Sequence, residues 1–385
     1  MFSSSANAEP KGEVGPRVFG LDFLRALAIT GVVFSHGFVV LYPHAVVWLG
    51  FFGHGGFYGV ELFFVLSGFL IGRILIRTGA ELGRARTVLV FYLRRWFRTL
   101  PLFWLFVGVN VFLEWHLRDH RFAAREIGAH AFFLRTLTEH RLTFFAESWS
   151  LAIEEWFYLL FPVVLWIGLK ITKRFNPVFL SAAVIFYLFS TVGRIVSVHH
   201  PEATRAEWQR VIVIYRFDAL MIGVVAAWIS VHFAESWRAR KMICAILGRV
   251  LLLALYLSLW RLGEHGLIFA EDDFFARTFR FNLVSLGFAL LIPAASLWKA
   301  ARKSFWTSSV RRIALWSYAL YLVHLPVFQV VMRYCFTAWQ TSLSQAIASF
   351  ILQIGGSIAI SALLFRYFES PCTRLRERVA PATRR

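Results

Sequence analysis

Apolar runs of about twenty residues alternate with short charged connections along almost the whole chain. Ten can be marked, at roughly 18–40, 57–77, 99–116, 148–169, 177–198, 211–232, 243–262, 278–298, 313–334 and 344–367. A helix of about twenty residues rising ~1.5 Å per residue covers the hydrocarbon core of a bilayer, so each run predicts a membrane helix. Basic residues then decide orientation. Arg73, Arg77, Arg84, Arg86, Arg94, Arg95 and Arg98 crowd the second connection; Lys170, Lys173 and Arg174 the fourth; Arg238, Arg240 and Lys241 the sixth. Lys299, Arg302, Lys303, Arg311 and Arg312 fill the eighth, and five further arginines follow the tenth run. The intervening connections are mixed or acidic, as at Glu264, Glu271, Asp272 and Asp273. The positive-inside rule therefore predicts an all-α polytopic bundle of about ten transmembrane helices with both termini in the cytoplasm. The connection over 117–147, rich in His and Arg, is read as holding a short helix.

Composition agrees. Of 385 residues 58% are hydrophobic, with 41 Phe and 15 Trp, which suits a membrane bundle and no soluble class. The formal net charge of +19 is not read as a nucleic-acid footprint, because the arginines sit where topology demands them. Three widely spaced cysteines match no metal or redox motif, and no metal ligand set is expected. Residues 1–17 form a polar leader without the pattern of a cleaved signal peptide, and residues 373–385 a basic cytoplasmic tail.

Several runs carry polar groups that cost several kcal/mol in lipid unless they face protein or water. In VFGLDFLRALAITGVVFSHGFVV, the run from Val18 to Val40, Asp22, Arg25 and His36 interrupt apolar sequence. Arg25 and His36 are eleven residues apart, three turns plus ~20°, so they share a helix face about 16 Å apart along the axis. The predicted orientation puts Asp22 and Arg25 near the cytoplasmic end and His36 in the outer half. Glu154, Glu155, Arg216 and Asp218 enter their helices at the outer side, Ser67 lies mid-helix, and Ser317, Tyr318, Tyr321 and His324 precede Pro326. A histidine beside a carboxylate makes a general-base pair. Clustered arginines suit phosphate. Arg216 and Asp218 fit either this outer site or a structural ion pair. The glycines of SGFLIG are read as close-packing positions.

The residues resemble the bacterial acyltransferase 3 family, over about residues 18–372. LDFLRALAITGVVFSH is similar to its first-helix pattern of Arg and His, and GVELFFVLSGFLIG to its second-helix block. FYLRRWFRTLP resembles its basic block, SWSLAIEEWFYLLFP its Trp-Ser-Leu-x-x-Glu block, and YRFDALMIGVVAA its Arg-x-Asp segment. WSYALYLVHLPV and RYFESPC resemble the two C-terminal blocks, all in family order. The resemblance implies a multi-pass enzyme of the bacterial inner membrane. It would take an acyl group, usually acetyl, from cytoplasmic acetyl-CoA or another acyl-CoA to a hydroxyl of a surface or exported glycan. It makes His36 and Glu154 the catalytic pair, and Arg25, Arg94, Arg95 and Arg98 the donor-positioning set. Asp22, Ser67, Glu155, Arg216, Asp218, Tyr321 and His324 are the supporting residues. Many members carry a fused hydrolase-like domain; this sequence resembles the stand-alone form, which finishes the transfer itself or hands the acyl group to a separate periplasmic or surface partner. Expected partners are membrane lipid and the glycan acceptor, with no nucleic acid. The alternatives are a transporter or flippase whose polar stripe lines a substrate path, and acylation of a non-glycan acceptor.

Overall fold

The computed structural model describes residues 18–44, 53–137, 142, 144–200, 206–258, 260–263, 266–269, 273–300, 304–336 and 342–381. The leader through residue 17, Glu264, Glu271, Asp272, Arg302, Lys303, Arg384 and Arg385 lie outside these. The helices are α1 (Phe19–Gly37), α2 (Gly55–Thr78), α3 (Ala85–Arg118), α4 (Ala124–Ala131), α5 (Ser148–Thr172), α6 (Phe175–Ser197) and α7 (Ala206–Val211). They continue as α8 (Phe217–His232), α9 (Ala234–Ala239), α10 (Lys241–Leu257), α11 (Phe274–Arg277), α12 (Phe279–Leu297), α13 (Phe305–Tyr334), α14 (Leu343–Leu364) and α15 (Ser370–Val379). A small antiparallel hairpin, Trp260–Gly263 with Gly266–Phe269, follows α10.

Each predicted run contains a helix, although residues 260–262 of the seventh belong to the hairpin. Among the described residues, eight helices are long and apolar enough to cross a membrane. The sixth and seventh runs differ from expectation in length: α8 has 16 residues and α10 has 17. The sixth run is broken at its start, where a 3-10 turn over Val213–Tyr215 separates α7 from α8. That break lets Arg216 sit at the head of α8, fully buried, as part of an ion network described below. The short helix expected within 117–147 is α4. Helix α15 runs across residue 373, where the tail was expected to begin.

Local signals set the later boundaries. Ser304 caps α13 by accepting from the Thr307 N–H, and Ser342 caps α14 from Gln345, each in a reciprocal capping box. A single π turn, Phe365–Glu369, joins α14 to α15; such insertions tilt one side chain off the helical register. Between the helices the core is aromatic, with Phe157, Phe161 and Phe179 all completely buried.

Close approach of α2 and α8 depends on two glycines. A Cβ at Gly68 would collide with the Leu220 carbonyl, and one at Gly223 with the Val65 carbonyl. Small residues at such crossings let backbones touch and gain dispersion, which is what holds helices together where lipid tails are as apolar as leucine. The SGFLIG segment thus packs as its glycines suggested, and this contact fixes the helix carrying Ser67 against the helix carrying Arg216 and Asp218.

Candidate active site

Three polar clusters lie between the helices. The first joins α1 to α13. His36 Nδ1 is 2.9 Å from His324 Nε2, and the two rings lie nearly parallel with centroids 5.1 Å apart. His324 is fully buried, and its Nδ1 is 3.2 Å from the carbonyl oxygen of Leu320, one turn back. Tyr321 follows the same face: its hydroxyl meets Ser150 Oγ at 2.6 Å and donates to the Glu147 carbonyl at 3.1 Å. The charge that bears on both His36 and Tyr321 is Arg210 of α7, whose guanidinium lies over the Trp149 ring at 5.5 Å.

The second cluster lies one helical turn further along α5 and α13. Glu154 follows Ser150 by four residues and Tyr318 precedes Tyr321 by three, so both step down one face. The Glu154 carboxylate reaches Ser67 and Tyr158, within electrostatic range of Arg95 and Arg25. Ser67 Oγ and the Tyr158 hydroxyl are hydrogen-bonded to each other. Arg95 stacks on the Tyr158 ring, its guanidinium carbon 4.1 Å from the centroid. A cation over an aromatic face in a desolvated site contributes about 2 kcal/mol. Glu155 is buried beside Thr99 and Arg95, and Tyr318 donates to the Thr99 carbonyl at 2.7 Å. At the far end Glu369, tilted inward by the π turn, faces Arg98 and Arg25.

The third cluster is an ion network with no exposed surface. Arg216 Nη2 donates to Glu61 Oε1 at 2.5 Å, and Ser285 Oγ donates to Glu61 Oε2 at 3.0 Å. Arg194 Nη2 donates to Asp218 Oδ2 at 2.9 Å and to Asn282 Oδ1 at 2.6 Å. Arg216 Nε lies 3.8 Å from Asp218 Oδ1, linking the two ion pairs in one chain of charges. Two arginines and two carboxylates balance, tying α2, α6, α8 and α12 together.

The expected site is therefore rearranged. His36 is oriented by His324, and Glu154 belongs to the neighbouring Arg95–Tyr158 cluster. Arg216 and Asp218 take the ion-pair alternative, and Glu61 joins them deep in the bundle. The arginines of RRWFR diverge because residues one apart on a helix point ~100° apart while those four apart share a face. Arg95 turns inward. Arg94 is held by the last helix: it reaches Glu377 at 2.9 and 3.1 Å and the Ala380 carbonyl at 2.6 Å, which occupies the fork expected to hold donor phosphate. Asp22 is buried in the first turn of α1, where the helix dipole favours an anion.

Sequence reasoning missed Arg194, although a charge inside the fifth run carries the same cost that singled out Arg25. It missed Arg210, which falls just outside an apolar run, and Glu147, Ser150, Tyr158 and Glu369, whose significance depends on neighbours distant in sequence. Among the described residues no three His, Cys, Asp or Glu side chains converge as metal ligands.

Glu147, just before α5, is buried, and burial holds its carboxyl up at about 8. A carboxyl with a raised folded-state value contributes stability that is fully present below its ordinary value and is lost as pH rises through about 8. Thermal unfolding in detergent should accordingly show a falling midpoint from mildly acidic to mildly alkaline pH, and Glu147→Gln should flatten that slope. An unchanged slope in the variant would remove Glu147 as its source.

Membrane-spanning helices that bury a histidine pair, two acids and inward arginines in one connected track have the make-up of an embedded group-transfer site. Residues 18–366 match the family model described as an acyltransferase domain, and the chain belongs to this acyltransferase family. Among curated proteins it is 28% identical to the peptidoglycan O-acetyltransferase OatA of Listeria monocytogenes, over 91% of this chain and 55% of that protein. It is 26% identical to the O-acetyltransferase OatA of Staphylococcus aureus, over 91% of this chain and 56% of that protein. The chain thus spans a little over half the length of these relatives. No solved structure matches it.

Proposed function

We propose that this chain is an inner-membrane O-acyltransferase that moves an acyl group, acetyl by likeness to its relatives, from cytoplasmic acyl-CoA to a hydroxyl of an exported or surface glycan. The observation that carries the reading is the continuous polar track from the His36–His324 pair, past Ser150 and Glu154, to Arg98 and Arg25. Arg25 and Arg98 are the donor-side cations, with charge suited to CoA phosphates. Arg95 serves the interior of the track, where it balances Glu154 and Glu155.

The chemistry follows from these groups. His36 takes the proton of the acceptor hydroxyl as its oxygen attacks the thioester carbonyl carbon. The carbon–sulfur bond breaks, and the leaving thiolate accepts the proton from His36, giving ester and free thiol. Arg210, beside His36, carries the positive charge that stabilises the oxyanion formed on the way. The acetyl character and the glycan acceptor rest on the relatives, whose names state O-acetylation and, for one, peptidoglycan.

The test is mass spectrometry of surface glycans from deletion and complemented strains. Acetyl mass should vanish with the gene and return with it. Unchanged glycans, with an acyl group missing instead from a lipid or peptide, would replace the acceptor class; export defects with intact acylation would replace the enzyme reading by a transporter.

A further inference from the structure

We infer that His324 is a positioning residue that fixes the tautomer of His36 and thereby aims a lone pair at the acceptor hydroxyl. The inference rests on the acyltransfer reading and deepens it. Its basis is a chain of two hydrogen bonds whose direction chemistry dictates. The Leu320 carbonyl can only accept, so His324 Nδ1, 3.2 Å away, carries the hydrogen. A neutral imidazole with hydrogen on Nδ1 has a lone pair on Nε2. That lone pair, 2.9 Å from His36 Nδ1, requires a hydrogen there. His36 is left with Nε2 unprotonated, which is the state a general base needs.

Three further observations support this direction. His324 is fully buried while His36 is only partly so, which puts the fixed partner inside and the reactive ring toward accessible space. The charge bearing on the pair is the positive one of Arg210, so a second cation within it would meet repulsion and a low dielectric. The rings also lie at 15° to one another, so packing and hydrogen bonding restrict the same rotation. A carboxylate in this role would bring a negative charge to stabilise an imidazolium. A backbone-anchored histidine brings orientation without charge, as suits a base buried in lipid and working beside an arginine.

The variants separate positioning from mere packing. In glutamine the side-chain oxygen lies the same number of bonds from Cα as Nε2 of histidine, so His324→Gln keeps an acceptor opposite His36 Nδ1. Asparagine is one bond short, and leucine offers no acceptor. With purified protein, acetyl-CoA and a soluble glycan acceptor, His324→Gln should hold kcat within several-fold of the parent. His324→Leu and His324→Asn should lose about a hundredfold with donor KM unchanged. Equal loss in Gln and Leu, or full activity in Leu, overturns the proposal.

Nitrogen-15 spectra of the histidine-labelled parent protein provide a readout independent of turnover and of variant folding. His36, assigned by its disappearance in His36→Ala, should show a protonated Nδ1 and a pyridine-like Nε2; the opposite tautomer overturns the proposal. That measurement needs no substrate. Failure of the acyltransfer reading, seen as surface-glycan acylation that does not change when the gene is deleted, is therefore distinguishable from failure of this one.

Discussion

His36→Ala should lower kcat for acyl transfer by about 10²- to 10⁴-fold, the range that a positioned general base supplies, while leaving a folded, monodisperse protein. Both halves follow from where the residue sits. His36 is partly accessible near the end of α1, and its side-chain hydrogen bond is the one to His324. Removing it strands the Nε2 acceptor of His324, a penalty of about 1–3 kcal/mol for a buried unmatched polar atom. A domain holding about 5–15 kcal/mol tolerates that loss. The chemical loss is of another order, since His324 lies fully buried behind the lost ring and Glu154 is engaged with Ser67 and Tyr158. Donor KM should stay near the parent value, because Arg25, about three turns away along α1, and Arg98 of α3 stand at the other end of the track. Initial rates with purified protein over a donor series provide the check. Undiminished turnover in folded His36→Ala would end the general-base assignment and turn attention to Tyr321 and Ser150 as the reacting pair.

The same comparison of neighbours explains how far the sequence could be read. Periodicity and charge placed the long helices, and helix geometry put Arg25 and His36 on one face, which the track uses. Spacing along one helix gives face and depth. It does not say which other helix lies opposite. His36 and His324 are 288 positions apart, and at the predicted depths Glu154 was as good a partner for His36 as His324. The choice is made by packing: α1 runs against α13, while Glu154 projects between α5, α2 and α3. Sequence reading likewise treated RRWFR as one basic patch, because charge count is visible in a string while the ~100° step between neighbours acquires meaning only when Glu377 takes Arg94 and Tyr158 takes Arg95. Arg216 and Asp218 were legible as an expensive pair, but the ion that makes them affordable, Arg194, comes from another helix altogether.

That network sets the largest expected effect on stability. Arg216→Ala should cost about 3–5 kcal/mol, the penalty for leaving a buried ion without its partner, which is most of what a domain has to lose. Glu61 would keep Ser285 as its only hydrogen-bond donor among the contacts now seen, in a fully buried place. The variant should therefore fail to yield monodisperse protein in detergent. Glu61→Leu combined with Arg216→Met offers the decisive contrast. Together they remove one negative and one positive charge, leave Arg194 and Asp218 paired at 2.9 Å, and fill the space with apolar volume. Replacing a buried ion pair by packed hydrophobic groups is often neutral or stabilising, so the double variant should recover folded protein and should still transfer acyl groups, because no member of this network touches the His36 track. Thermal unfolding of the two variants beside the parent decides it. If the single variant is as stable as the double, the charges are not what holds α2, α6, α8 and α12 together. If the double folds and is inert, Glu61 and Arg216 belong to the chemistry after all, and the track has a branch through α8.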